Sequence, residues 1–561
     1  MTEQKRWEIK PPVPEEIRKE LMEYDPIMQQ LLYNRGITDG ERATQFLMGD
    51  RPTYDPFLLP DMEKAVARIF AAIERQERIT VYGDFDVDGI TSTATLVQAL
   101  RGYGGIVDGY IPHRDDGYGV NRQSIDELCS QGVKLIITVD CGIRAPDEVE
   151  YAQNLGIDFI VTDHHNVADR LPPAVAVVNP KRQDSQYPNR YLAGVGVTYK
   201  LVEALSLERP TAGVYPQQWL DLVAIGTVSD IVNLTGENRA LVKAGLSHLT
   251  KNPRRGLQSL AGAARLDLTR VSSTDIGFIL GPRLNAAGRL ESAMKALKLL
   301  MEDDPAITGM LAQELDDLNN KRKKITKDIK DRIEEKISSD FLVFAAEPDF
   351  EMGVVGLAAA NLTEKLHRPA IVGTINGETT RASCRSIPEF HITRALDECA
   401  DLLEKHGGHA MAAGFTVRND RLEQLVSRLK AIAERELSNK ELQPVLEADM
   451  VVHFGDLRPE WIQKYILPME PTGCGNPSVM FVTREVELKN VRKVGNGNHL
   501  RMTVRHPEAK FVVDAIAFNQ GHWFEEISND LRFDLMFSYE LNYYRNTPSV
   551  QMNIIDIRKL G

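Results

Sequence analysis

Three aspartates alternate in Val81-Tyr82-Gly83-Asp84-Phe85-Asp86-Val87-Asp88-Gly89, directly after the apolar run Ile79-Thr80-Val81-Tyr82. A strand ends there, so the carboxylates fall on the loop beyond its carboxyl end. Like charges this close repel unless cations lie between them. Two more sites of the same kind follow, Thr138-Val139-Asp140-Cys141-Gly142 and Val161-Thr162-Asp163-His164-His165. An acid at the end of each of three apolar runs reads as one metal-binding crevice.

Only some folds bring three strand ends to one edge. Ile79–Tyr82, Lys134–Val139, Phe159–Thr162 and Val175–Val178 are short Val- and Ile-rich runs that read as buried strands. Thr91–Leu100, Ser124–Gln131 and Pro146–Leu155 alternate with them as helices. This spacing predicts an α/β fold built on a parallel sheet with right-handed crossovers. Ligands of such sheets bind outside the carboxyl ends of the strands.

At 561 residues the chain is too long for one core. The pattern divides it into an N-terminal extension (1–60), the metal-binding α/β domain (61–235), a helical connector (236–340), a second, smaller α/β domain (341–440) and a C-terminal β-barrel (441–561). Within the connector, Ala306–Ile337 carries apolar residues at helical spacing (Leu311, Leu315, Leu318, Ile325, Ile329, Ile333) and predicts a long amphipathic helix joining the two α/β domains. After residue 445, short alternating segments separated by turns such as Gly495-Asn496-Gly497-Asn498 predict a small barrel of the oligonucleotide-binding type, an OB-fold.

The net charge of −13 argues against a nucleic-acid binder. The sum misleads, however, where clustered carboxylates are to be neutralised by metal, and distribution matters more. Five cysteines without a Cys-x-x-Cys pair suit reduced thiols and a cytoplasmic protein. The first twenty residues are charged and Pro-interrupted, unlike a signal peptide. No apolar run reaches the ~18 residues of a membrane span.

Hard divalent cations prefer carboxylates, and imidazole adds borderline character that suits Mn²⁺. Asp84, Asp86, Asp88, Asp140 and His164 offer such a set. Asp230, in the apolar helical segment Thr227-Val228-Ser229-Asp230-Ile231-Val232, read alone is an N-cap or a local salt bridge; beside the other acids it reads as a sixth ligand. Two metals ~3.5–4 Å apart share a bridging carboxylate, and Asp140, alone at its strand end, is the best candidate. Taken singly, each aspartate could equally be a loop cap.

These residues carry a resemblance. Asp84-x-Asp86-x-Asp88-Gly89, Asp140 and Asp163-His164-His165 match, in order, the motifs of the DHH phosphoesterase superfamily, and Gly407-Gly408-His409-Ala410-Met411-Ala412-Ala413-Gly414-Phe415 resembles the signature of its associated C-terminal domain. Pro282-Arg283-Leu284-Asn285-Ala286-Ala287-Gly288-Arg289, Ser383-Cys384-Arg385-Ser386 and Glu470-Pro471-Thr472-Gly473-Cys474-Gly475-Asn476-Pro477 are similar to segments of the RecJ family of single-strand-specific exonucleases. The resemblance implies two Mn²⁺ or Mg²⁺ ions on Asp84, Asp86, Asp88, Asp140, His164 and Asp230. Smaller relatives carry histidine where this chain has Tyr82, so Asp84 is expected to supply that ligand. His165 is expected at the scissile phosphate. The implied activity is processive 5′→3′ degradation of single-stranded DNA to 5′-mononucleotides, in DNA repair and recombination. Single-stranded DNA-binding protein and a RecQ-type helicase are implied partners.

Arginine suits bidentate capture of phosphate, and serine adds a donor. The resemblance assigns Arg283, Ser383 and Arg385 to a terminal phosphate, with Asn285 and Arg289 as further substrate contacts. Gly407, Gly408 and His409 read as a phosphate approach or as a tight turn. Arg114 and Tyr118 read as phosphate and base contacts from a loop beside the crevice, and Tyr544 and Arg545, with Tyr543, as barrel contacts. Phe481, Trp523 and Phe524 read mostly as core. A small-substrate phosphoesterase would use the same metals but has no need of a barrel, and a non-catalytic binding module has no need of intact acids. The two-lobed build suggests a monomer.

Overall fold

A computed structural model describes residues 5–49, 54–117, 119–336, 340–528, 531–542 and 549–560. The fold is mixed α/β with a C-terminal barrel. Strand β1 (Arg6–Ile9) opens the described chain. Five parallel strands follow: β2 (Arg78–Gly83), β3 (Ile106–Tyr110), β4 (Val133–Val139), β5 (Asp158–Thr162) and β6 (Ala176–Val178), in sheet order β3-β2-β4-β5-β6.

This sheet is buried on both faces, which is why its strands are nearly continuous apolar runs. Period-two alternation splits them between two cores. Ile79, Val81, Leu135, Ile137, Val139 and Ile160 face one; Tyr82, Ile136, Phe159 and Val161 face the other. Edge strand β3, with Asp108 and Gly109 in a five-residue run, is the one the sequence pattern does not reveal.

Helix Pro305–Glu334 is capped by Asp304, whose carboxylate accepts from Ala306 and Ile307 N–H. Its first half places Leu311, Leu315 and Leu318 in the core of the first domain. Its second half places Ile329 and Ile333 in the second domain. One helix thus shares two cores, as its periodicity predicts.

The second domain is a mixed sheet of β7 (Val343–Glu347), β8 (Ala370–Asn376), β9 (Thr379–Arg385), β10 (Leu403–Gly408) and β11 (Ala412–Arg418), ordered β10-β11-β9-β8-β7 with only β7–β8 parallel.

Strands β12 (Val445–Ala448) and β13 (Met450–Val451) lead into the barrel. Strands β14 (Phe481–Val494), β15 (His499–Arg505), β16 (Val512–Ala517), β17 (Phe533–Asn542) and β18 (Ser549–Lys559) form it, and a β14–β17 pairing closes it. The N-terminal segment is part of this unit. β1 pairs in parallel with β12, and Leu21, Met28, Leu31 and Leu32 share a core with Phe481, Phe533 and Phe537. Phe481 is fully buried, while Trp523 and Phe524 pack half-buried against that core. No helix among the described residues is long and apolar enough to cross a membrane.

Candidate metal centre and phosphate cleft

The ends of β2, β4 and β5 deliver the acids to one edge of the parallel sheet. Asp84 follows β2. Asp86 is the N-cap of helix Val87–Gly102, and its Oδ1 accepts from the N–H groups of Asp88 (2.9 Å) and Gly89 (3.1 Å). Asp86 therefore fills the capping role that each aspartate could have had, and does so inside the cluster. Asp140 follows β4 in left-handed backbone, φ 61°. Asp230 is the C-cap of helix Leu220–Ser229, not an N-cap; a carboxylate at a helix C-terminus is disfavoured by the dipole and gains nothing as a cap.

His164 Nε2 lies 3.1 Å from Asp140 Oδ1, 3.6 Å from Asp230 Oδ2 and 3.9 Å from Asp88 Oδ2. The ligand atoms of Asp84, Asp86 and Asp140, those of Asp88, His164 and Asp230, and those of Asp140, His164 and His165 each lie within 4.8 Å of one another. Asp140 belongs to two of these three sets. Asp84 Oδ1, Asp140 Oδ1, His164 Nε2 and Asp230 Oδ2 are buried without a hydrogen bond. Buried polar atoms are normally paired. Four unpaired ones converging from carboxylates and an imidazole are the donor set of a divalent cation.

Electrostatics agree. Burial, then the charge of Asp86, pushes Asp84 up to about 8 and Asp88 up to about 7. Burial and Asp88 push Asp230 up to about 9, and burial and Asp88 raise Asp140 well above the carboxylate range. Burial, with His165 alongside, lowers His164 to about 3, so its ring is neutral and fit to ligate.

Asp163 plays another part. Its carboxylate accepts from His164 N–H (2.7 Å), His165 N–H (3.0 Å) and Ile143 N–H (3.0 Å), and Oδ1 lies 2.7 Å from His165 Nδ1. Burial works against its charge, but the His165 contacts win and lower its pKa. Burial likewise works against charge on His165, and the Asp163 bond overcomes it and raises the pKa. Tyr82 points into the opposite core and donates to Gly119 O at 3.1 Å, so Asp84, and not Tyr82, joins the acid cluster from that strand end.

Guanidinium groups gather beside the acids. Arg114 lies 3.9 Å over the Phe85 ring and donates Nε–H to Gly288 O at 2.9 Å. Gly288 packs directly on the Phe85 carbonyl and Gly353 directly on the Arg289 carbonyl, approaches that a Cβ would block. Arg289 donates Nη1–H to Gly353 O, but its buried Nε has no partner, nor has the Nε of Arg322. Burial, with Arg114 and Arg322 nearby, lowers Arg289 to about 10. Among the described residues no carboxylate pairs with Arg289, Arg322 or Arg385. Asn285, Arg289 and Arg322 line a cavity of about 530 Å³ beside Ser229 and Ile231.

Ser383 and Arg385 lie half-buried on β9, where the register sets Gly414 opposite Ser383 and Ala412 opposite Arg385. Gly407 pairs with Gly414 in the next strand. Gly408 (φ 147°) and exposed His409 form the tight turn, with His409 N–H donating to Ala412 O at 2.7 Å. Arg283 lies close enough to Arg322 that, after burial, its charge lowers the Arg322 pKa. Its Nε pairs with Asp316 Oδ1 at 2.8 Å and its Nη1 donates to Ile279 O at 2.8 Å, so this guanidinium is held by the scaffold. Tyr118 and Tyr543, Tyr544 and Arg545 lie outside the described residues.

Sequence reasoning missed Arg322 and Lys181. Arg322 sat in the run Lys321-Arg322-Lys323-Lys324, which reads as a solvated helix face. Lys181 is half-buried near Asp230 and Asp163, and burial lowers its pKa; a lone lysine after β6 gave no signal.

Residues 78–227 match the DHH family N-terminal domain, residues 338–435 the DHHA1 domain and residues 448–556 the RecJ OB domain. The single-stranded-DNA-specific exonuclease RecJ of Bacillus subtilis is 38% identical over 98% of this chain and 70% of its own length. That of Escherichia coli is 34% identical over 95% of this chain and 96% of its own. The chain belongs to the RecJ family. RecJ from Thermus thermophilus in complex with Mn²⁺ superposes with a TM-score of 0.84 at 28% identity, covering 99% of this chain and 80% of that one. RecJ from the same organism has also been solved with Mg²⁺.

Proposed function

We propose that this protein is a metal-dependent exonuclease that degrades single-stranded DNA from the 5′ end, releasing 5′-mononucleotides processively. The observation that carries this reading is the juxtaposition of buried unpaired carboxylate and imidazole atoms with Arg289, Arg322 and Arg385, which form no ion pair with a carboxylate among the described residues. The first set needs cations; the second needs anions. A polynucleotide phosphate held by divalent metal satisfies both.

Asp84, Asp86, Asp88, Asp140, His164 and Asp230 would hold two Mn²⁺ or Mg²⁺ ions, with Asp140 shared. Bound there, such ions offset the repulsion of the acids, acidify water and neutralise charge developing in an in-line displacement at phosphorus. Asp163 orients His165 toward the scissile phosphate. Ser383 and Arg385 hold the terminal phosphate, and Arg289 and Arg322 hold phosphates along the cleft. Arg114, braced by Phe85 and Gly288, adds a further phosphate contact, with Asn285 as a polar one. The barrel guides the strand, a role that a small-substrate phosphoesterase would leave empty. The working context we propose is a cytoplasmic monomer acting with single-stranded DNA-binding protein and a RecQ-type helicase.

The test is digestion of a 5′-phosphorylated single strand labelled at either end, with Mn²⁺, with Mg²⁺ and with chelator, and duplex as control. The reading requires metal-dependent release of label from the 5′ end first. Inactivity on long strands with turnover of dinucleotides would replace it by the small-substrate reading.

A further inference from the structure

The cavity next to Asp230 has an apolar side that the phosphate contacts leave unused. Phe278 is 78% exposed, the most exposed large hydrophobic ring among the described residues, and Ile231 is 73% exposed. Both line the same 530 Å³ cavity as Asn285, Arg289 and Arg322. Single exposed hydrophobic residues are common and carry no message. These two are set apart by their backbone and by their company.

Phe278 stands on a π-helical turn, Ile276–Leu280. Such turns are rare and are concentrated at functional sites. Ile276 and Leu280 are fully buried and anchor the turn in the core, so the ring between them is held outward on a fixed base. Ile231 follows Asp230 directly and sits at φ 60°, a conformation that β-branched residues avoid. The cavity thus offers cationic and apolar surface together. A ligand that fits both has an anionic backbone and flat apolar faces, which describes an unpaired nucleotide strand.

We propose that Phe278 stacks on a nucleobase close to the scissile phosphodiester and that Ile231 packs beside it, while Arg289 and Arg322 hold the adjoining phosphates. This rests on the exonuclease reading of the same cleft and adds to it the residues that sense the base. A paired base is already stacked on both faces within a duplex, so the Phe278 contact favours single strands.

The test uses 5′-phosphorylated single strands in which one abasic site is moved through the first six positions, with single-turnover cleavage in Mn²⁺ as readout. A parallel set carries 2-aminopurine at the same positions, and its fluorescence is read in chelator, where binding is seen without cutting. In the wild-type protein one position should slow about tenfold when abasic, and the same position should show quenched 2-aminopurine. Phe278→Ala should slow the intact strand by a similar factor, lose the abasic penalty and lose the quenching. Phe278→Trp should keep both, and Ile231→Ala should weaken both in part. An unchanged abasic profile and unchanged quenching in Phe278→Ala would overturn the proposal. If the wild-type protein bound the strands but failed to cut them, the exonuclease reading would fall, while the quenching comparison would still decide the stacking contact. Melting curves of the variants confirm folding; Phe278 is exposed and its loss should leave them unchanged.

Discussion

Gly194 donates its backbone N–H to Asp88 Oδ2 across 2.6 Å, and Val195 donates to the other oxygen at 2.8 Å. These are the first residues of helix Gly194–Glu208, so the positive end of a helix holds a buried carboxylate of the candidate metal centre. The fit leaves no room: a Cβ on Gly194 would lie 2.6 Å from Asp140 Cβ and 2.7 Å from its Oδ1.

Gly194→Ala should therefore displace Asp88 and Asp140 together. We expect Mn²⁺ affinity and exonuclease rate to fall at least a hundredfold, with a lowered melting temperature. Calorimetric titration with Mn²⁺ checks the first effect, and wild-type affinity in this variant would contradict the geometry.

Asp140→Asn should separate activity from stability. Hydrolysis should drop by three orders of magnitude or more while the protein still binds single strands. In chelator at pH 8 the variant should melt higher than the parent, because folding no longer has to bury, beside other acids, a group that is ionised in the unfolded chain. Retained hydrolysis would remove Asp140 from the centre.

Metal removal should be costlier at high pH. Asp84 at about 8, Asp88 at about 7 and Asp230 at about 9 bind protons in the folded, metal-free protein that an unfolded carboxylate, with a pKa of ~4, has released. This contribution to stability is complete below about pH 4 and is lost as pH rises through 7 to 9. The melting gap between Mn²⁺-loaded and chelated protein should widen from pH 6 to pH 9; a constant gap would contradict it.

Arg385→Ala should raise KM for a 5′-phosphorylated strand at least tenfold and barely change it for a 5′-hydroxyl strand. Arg283→Ala should instead lower stability through the loss of the Asp316 pair, with little change in that ratio. The two ratios, measured side by side, distinguish phosphate capture from scaffolding.

Glu237→Ala should cost about 3–5 kcal/mol of stability without altering metal affinity. Glu237 and Lys200 form an ion pair with both side chains 0% exposed, and Tyr187 donates to the carboxylate at 2.8 Å. Chemical denaturation measures the loss.

The strands that carry the acids were legible because a sheet buried on both faces demands unbroken Val and Ile runs, and the long helix because its apolar period spans both cores. Strand β3 was not, since an edge position tolerates Asp108 and Gly109. The packing of residues 6–43 into the barrel was not either. That pairing joins Arg6–Ile9 to Val445–Ala448, segments far apart in the chain, and no local pattern encodes it.

Within the site, the sequence by itself determined which chemistry was available: acids and a histidine pair at strand ends, arginines in recognisable segments. It could not determine partners. Arg283 and Arg289 lie six residues apart in one motif, yet Asp316 pairs with the first, while among the described residues the second forms no ion pair, donates to the Gly353 carbonyl and feels Arg114, Arg322 and Arg385 on one side and Asp86 on the other. Arg322 and Phe278 gave no signal, because a helix-surface charge and a lone aromatic acquire meaning only from what stands across the cavity. Residue type is a local property of the chain; a side chain's free charge, its burial and its neighbours are set by contacts between segments tens to hundreds of residues apart, and those only the tertiary structure decided.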